Sequence, residues 1–318
     1  MRRNRNELLS FTILQVIFFV SVRSWQIPLK QSVARKGGYF PPSPKQRYPE
    51  NNEHLTRRNI LLDGLKKSSS LLAPSLFLTE ITTKPCLAIT SDEAASSYNR
   101  YAKQYDLLDG GIIAQDLGIA SARSKLISQA RGNVLEIGAG TGLNLKEYVF
   151  ASSPSEANGV TSLTLLDISD GMLGEAKDKL KDLNIPSFVQ IDFVNADATS
   201  EIIKKFGDDK FDTVVDTFSL CVMGTKGAEN CLRQIEGAVK GKEEGGKVLM
   251  IENTRSSNSL LGRYQDLTAD MAANLGGKGC VSNQDVTAMI EKTNRLDILS
   301  EEEFASGVFR SFIVLKSS

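Results

Sequence analysis

The sequence predicts an α/β fold: seven strands in one mostly parallel sheet, helices on both faces, and an antiparallel hairpin at the carboxyl end. Three observations carry this reading. Five short runs rich in Val, Ile, Leu and Phe, at residues 134–137, 162–167, 188–197, 211–220 and 247–253, alternate with helical sequence, the signature of βαβ units. The rhythm then breaks, because residues 295–304 and 308–317 are two strand-like runs joined only by Ala305, Ser306 and Gly307. A glycine loop at residues 138–142 follows the first apolar run and opens a helix, the place where backbone N–H groups face a ligand.

In chain order, residues 1–24 read as a signal peptide. Arg2, Arg3 and Arg5 precede an apolar run at residues 8–22 that is short for a membrane span, and Ser21 and Ser24 supply the small residues of a cleavage site before Trp25. Residues 25–90 read as a largely disordered transit presequence, rich in Ser, Pro, Lys and Arg and poor in acid. The order resembles the two-part presequence of algae whose plastids lie inside the secretory system. Arg57 and Arg58 before apolar sequence, with an A-x-A-like cut ending at Ala88, resemble a twin-arginine signal for the thylakoid lumen. A dibasic pair inside an ordinary transit peptide stands beside that reading, as do the mitochondrion and the endoplasmic reticulum membrane as destinations. No N-x-[ST] sequon occurs in the chain.

From Ser91 the chain reads as a single folded domain, residues 91–318. Residues 91–109 form a helix opened by Ser91 and Asp92, and residues 112–130 a second, closed by Gly132. The acidic run Glu301 to Glu303 reads as a solvated turn region. Residues 256–283 stand as an insertion before the last helix and an acceptor lid.

Charge narrows the partners. Residues 1–91 carry 14 Lys+Arg against 5 Asp+Glu, leaving 24 against 33 in residues 92–318 of the neutral whole. An acidic body without a basic stripe argues against a nucleic-acid partner, whose phosphates need neutralising. It favours a small-molecule substrate and leaves peripheral membrane contact and oligomeric state open. His54, inside the presequence, is the only histidine. The body therefore has no Ser-His-Asp triad, no histidine-based zinc site and no histidine general base. Cys221, Cys231 and Cys280 are too scattered for a metal or redox motif and read as buried thiols, so no metal is expected.

The glycine loop alone is ambiguous between nucleotides. Its spacing, Gly138, Gly140 and Gly142 with Leu143 after them and Glu136 before, departs from a dinucleotide fingerprint, which wants Gly or Ala at 143. Asp167 ends the second strand, where a carboxylate can accept ribose hydroxyls. Asp197, in the segment Asn195-Ala196-Asp197-Ala198 after the third strand, can receive an adenine amino group with Ala198 against the ring. Asp212 reads as a structural residue at a strand entrance. Asp216, Ser219 and Cys221 lie at the carboxyl end of the fourth strand, and Glu252, Asn253 and Arg255 at that of the fifth, the side where open sheets bind ligands.

Taken together, E-x-G-x-G-x-G, LLDIS, NADA and FDTVVDTFSL, in this order, resemble the class I S-adenosylmethionine-dependent methyltransferases over about residues 92–316. The flanks YNRYAKQYDLLDGG and IENTRSSNSLLGRYQD resemble the group near the ubiquinone and menaquinone methyltransferases, the methyltransferase type 11 domains. The resemblance implies a Rossmann-like sheet, S-adenosyl-L-methionine as cofactor, and methyl transfer to a small, lipophilic acceptor by in-line displacement. It also implies a site. Glu136, Gly138, Gly140 and Gly142 would surround the methionine moiety, Asp167 the ribose, and Asp197 and Ala198 the adenine, with Ala139, Asn144, Ile168, Met172 and Asp216 also among the cofactor-binding residues. The catalytic residue is left unassigned among Tyr101, Tyr105, Asp216 and Cys221, the two tyrosines being four apart on one helical face and near the sulfonium. A catalytically silent methyltransferase-fold binding or assembly protein of the plastid is the alternative.

Overall fold

The computed structural model describes residues 90–109, 117–156, 158–276 and 279–317. The presequence, with its signal-peptide, transit and twin-arginine readings, lies outside the described residues.

Helix α1 (Ser91–Asp109) and helix α2 (Ile119–Ile127) precede the sheet. Gly132, in the left-handed region at φ 69°, does not merely close a helix. It begins β1 (Gly132–Ile137). There follow β2 (Val160–Asp167), α3 (Asp170–Leu180), β3 (Gln190–Asn195), α4 (Ile202–Phe206), β4 (Thr213–Thr217), α5 (Gly224–Ala238) and β5 (Lys247–Asn253). Helix α6 (Ser259–Gly276), α7 (Val286–Glu291), β6 (Leu296–Phe304) and β7 (Phe309–Lys316) complete the chain.

The seven strands form one sheet in the order β3-β2-β1-β4-β5-β7-β6. The first five run parallel, and β7 pairs antiparallel with β5, Val248 opposite Val314 and Asn253 opposite Phe309. The terminal hairpin therefore inserts its second strand against the sheet and leaves β6 at the edge. Residues alternate in the direction they face along a strand, and the core divides accordingly. Leu135, Ile137, Val214, Val248, Met250, Phe312 and Val314 pack on one face with Leu232 and Ile235 of α5. Val134, Leu163, Leu165, Val215, Leu249 and Ile251 pack on the other with Leu126 and Ile127 of α2.

Of the two sequence readings of Glu301 to Glu303, the strand holds and the turn does not: these residues lie inside β6. Arg310 on β7, directly opposite Glu303, reaches Glu301 and Glu303 at 2.6 Å each, and Lys125 of α2 reaches Glu302 at 2.7 Å. Cross-strand ion pairing and the charge that protects an edge strand account for acid in a β run. Among the described residues, no helix is long and apolar enough to cross a membrane.

Candidate functional site

The carboxyl ends of β1, β2, β3 and β4 surround a cavity of about 270 Å³. Its floor is the glycine loop. Gly138 and Gly140 hold φ values of 58° and 55°, the left-handed region that favours residues without a Cβ. A Cβ on Gly138 would stand 2.5 Å from that of Ser219, whereas one on Gly140 would meet nothing closer than 3.9 Å. The first glycine is needed for packing against β4, and the second keeps the cavity surface bare.

Asp167, at the end of β2, ties loop to strand. Its Oδ2 accepts the Gly140 N–H and its Oδ1 the Ser169 N–H, both at 2.8 Å. Burial pushes its pKa up, against those two hydrogen bonds. Asp197 stands at the other side of the cavity. Its Oδ1 accepts from the Thr199 N–H at 2.8 Å and the Thr199 hydroxyl at 2.7 Å, and its Oδ2 from the Ser91 hydroxyl at 2.7 Å.

Helix α1 forms the roof. Asn99 Oδ1 accepts from the Ser169 hydroxyl at 2.8 Å and the Gly171 N–H at 2.7 Å, fastening α1 across the first turn of α3. Farther along, Asp106 accepts the Thr141 hydroxyl at 2.6 Å and pairs with Lys179 at 2.5 Å. The helix so held puts Tyr98 and Tyr105 into the cavity wall. Tyr101 is buried with Met172, its ring edge-on to Tyr105 at a centroid distance of 5.6 Å.

The fourth wall is the turn after β4. Thr217, Phe218, Ser219, Val222 and Met223 line it. Phe218 takes φ 63°, unusual for a residue with a side chain. Its ring is held by Phe309, edge-on at 5.6 Å, and by the Arg123 guanidinium at 5.9 Å.

Several residues named from the sequence lie behind this lining. Glu136 faces the side of the sheet opposite Leu135 and Ile137, where Asn144 Nδ2 donates to it at 2.9 Å and the Tyr148 hydroxyl at 2.7 Å. Only 1% of it is exposed, and burial raises its pKa to about 7. Asn144 also donates to Thr217 at 3.0 Å, so it links Glu136 to the cavity wall while its Oδ1 stays buried without a partner among the described residues. Ala139, Gly142, Asp216 and Cys221 are likewise outside the lining. Gly138, Gly140, Asp167, Ile168, Met172, Asp197, Ala198 and Tyr105 are in it. Sequence reasoning missed Thr90, Ser91, Ala94 and Tyr98, although the cap and helix at residue 91 were evident. It also missed Thr199, Val222, Met223 and Gly227, which carry no distinctive chemistry.

Asp212, read as structural, accepts the Asn133 N–H at 2.8 Å and pairs with Lys240 at 2.7 Å, away from the cavity. Among the described residues, no group of three or more His, Cys, Asp or Glu side chains is arranged to hold a metal.

Residues 134–242 match a family profile described as "Methyltransferase domain". The chain is 30% identical to the ubiquinone/menaquinone biosynthesis C-methyltransferase UbiE of Azotobacter vinelandii over 208 residues, covering 64% of this chain and 76% of that protein. It is 23% identical over 222 residues to the phosphatidylethanolamine N-methyltransferase of Cereibacter sphaeroides, covering 70% of this chain and 96% of that one. An O-methyltransferase family protein from Burkholderia thailandensis shares the fold at a TM-score of 0.52 and 14% identity, over 73% of this chain and 64% of that chain. With the sheet order, the bare glycine floor and these relatives in agreement, the chain belongs to the class I S-adenosylmethionine-dependent methyltransferases, and S-adenosylmethionine is its cofactor.

Proposed function

We propose that the chain methylates a small lipophilic acceptor, a quinol-type ring or an amine headgroup, inside a plastid. The observation that carries the reading is the cavity itself: carboxylates at two strand ends, a bare glycine floor between them and aromatic rings at one side. The names of the relatives support the acceptor class, one methylating carbon in quinone biosynthesis and one nitrogen on a phospholipid. Residues 1–90 support the compartment, and the same segment leaves the thylakoid lumen as the finer destination.

Bound S-adenosylmethionine supplies an electrophilic methyl group on a cationic sulfur. Asp167 accepts the ribose hydroxyls, having lone pairs beyond those that hold Gly140 and Ser169. Asp197 accepts the adenine amino group, and Ala198 and Ile168 enclose the ring. Tyr98, Tyr105 and Phe218 offer ring faces to a cation. Arg123 holds the Phe218 ring from behind the cavity wall. The residues exclude water and align donor with acceptor, which is where an already activated methyl gains most. Helix α6 covers the acceptor side as a lid, and its outward Leu260 and Leu267, 62% and 84% exposed, suit peripheral contact with a membrane that stores the acceptor.

The test is transfer of tritiated methyl from S-adenosylmethionine by the purified chain to demethylated quinols and to phosphatidylethanolamine vesicles, each with S-adenosylhomocysteine as competitor. Label in either lipid fraction supports the reading. Binding of S-adenosylhomocysteine with label entering only water-soluble acceptors overturns the lipophilic part of it.

A further inference from the structure

Cys221 and Cys280 are 59 residues apart in the sequence, and the fold brings them together. Cys221 lies in the turn Leu220–Val222, directly after the cavity residues Phe218 and Ser219. Cys280 lies in the stretch that follows α6. The Val281 N–H donates to the Cys221 carbonyl at 2.8 Å, so the two backbones meet at these residues. Their side chains lie close enough for each to feel the other. Asn253 Nδ2 also donates to Cys280 Sγ at 3.6 Å, and the Cys221 thiol reaches the Phe218 carbonyl at 3.6 Å. Cys221 is 3% exposed, and Cys280 is half-buried. Backbones held this close fall within the separation that a disulfide bridges after side-chain rotation.

We propose that Cys221 and Cys280 form a reversible disulfide, a modification site at which a low-molecular-weight disulfide oxidises the pair and a dithiol restores it. The neighbouring Cys280 first, then burial and the carboxyls of Glu252 and Asp216, push the Cys221 thiol up. Cys280 is therefore the residue that meets the oxidant. It loses its proton to solvent, and the thiolate attacks one sulfur of the oxidant, forming a mixed disulfide and expelling one thiolate. Cys221 then gives up its proton and attacks the Cys280 sulfur, closing the intramolecular bond and expelling the second thiolate. The two cysteines lose two electrons and two protons, and the oxidant gains both electrons and becomes two thiols.

The consequence lies at the cavity. The bond fastens the stretch after α6 to the wall that carries Phe218, Ser219, Val222 and Met223. Gln265 of α6 already donates to the Ser282 carbonyl at 2.7 Å and the Thr254 carbonyl at 3.0 Å, so the oxidised form adds a covalent tie to a stretch this helix already holds. The inference does not depend on which acceptor is methylated.

The experiment incubates the full chain with excess glutathione disulfide, traps remaining thiols with iodoacetamide and maps the peptides by mass spectrometry. The expected result is a Cys221–Cys280 cross-linked peptide, reversed by dithiothreitol. A higher unfolding temperature in the oxidised form is expected with it, because a cross-link restricts the unfolded chain. Both signals disappear in Cys280→Ser. Should that variant fail to fold, Cys221→Ser discriminates equally, since its Cys280 then stops at a glutathione adduct. A persistent glutathione adduct on Cys280 in the parent chain, alkylation of both cysteines, or a cross-link that instead involves Cys86 overturns the proposal.

Discussion

Asp216 and Glu252 share a buried contact at the carboxyl ends of β4 and β5, and their Oδ2 and Oε2 atoms are reached by no N–H or hydroxyl among the described residues. Their other oxygens are used. Asp216 Oδ1 takes the Ser219 hydroxyl, and Glu252 Oε1 takes the Leu220 N–H at 3.0 Å. Two carboxyls placed this way cannot both ionise cheaply, which favours the protonated forms. Burial first, and for Glu252 then the Asp216 charge, raises both groups, Asp216 to about 6 and Glu252 well above the usual carboxylate range. The pair holds the turn that sets Ser219 against Gly138.

Both groups keep their proton to higher pH in the folded chain than in the unfolded one. Their contribution to stability is therefore complete below about pH 4 and is lost as the pH rises through about 6 and beyond. Denaturant unfolding at a series of pH values will show stability falling between pH 5 and 8. Glu252→Gln, which keeps a neutral hydrogen-bonding group, will make that slope shallower by up to about one proton. An unchanged slope would mean that the proton is not held there.

Glu136 makes a second case. Tyr148→Phe removes the donor to its Oε2 and leaves a buried oxygen unsatisfied, at a cost of about 1–3 kcal/mol. The cost will be greater above pH 7 than below it, because Glu136 is pushed to about 7 and only the charged form needs both donors. Equilibrium unfolding of the variant at pH 6 and pH 8 checks both size and sign.

Two glycines in the same loop will respond differently to alanine. Gly138→Ala drives a Cβ to 2.5 Å from that of Ser219 and will lose the fold of the loop together with cofactor binding. Gly140→Ala meets only left-handed strain, about 1–2 kcal/mol, and will fold while its methyl group stands in the cavity. Thermal melts with and without S-adenosylhomocysteine separate the two outcomes: Gly140→Ala keeps a cooperative melt but loses most of the ligand-induced shift.

Asp167→Ala removes the acceptor of the Gly140 N–H as well as the carboxylate proposed for the ribose. S-adenosylhomocysteine binding will weaken at least about tenfold, or ~1.4 kcal/mol, by isothermal titration calorimetry. Asp197→Ala will weaken it by a similar factor, and S-inosylhomocysteine, which lacks the adenine amino group, will not distinguish that variant from the parent. Parent-like binding of S-adenosylhomocysteine by either variant would remove that residue from the proposed site.

By itself the sequence determined which stretches are strands, where the helix at Ser91 begins, and that Gly138, Gly140, Asp167 and Asp197 belong to one face. Those features are local or follow from period and strand end, and βαβ connectivity leaves the carboxyl ends together. The alternation along β1 also carried a warning: Glu136 is in phase with Val134, not with Leu135 and Ile137, and so turns to the opposite side of the sheet. The placement of β7 between β5 and β6, the ion pairs of Glu301 to Glu303, the meeting of Asp216 with Glu252, and the meeting of Cys221 with Cys280 were decided only in three dimensions. Each joins residues whose separation along the chain carries no period or motif. Packing of the sheet and its helices sets those distances, and distance sets whether two carboxyls hold their protons or two thiols form a bond.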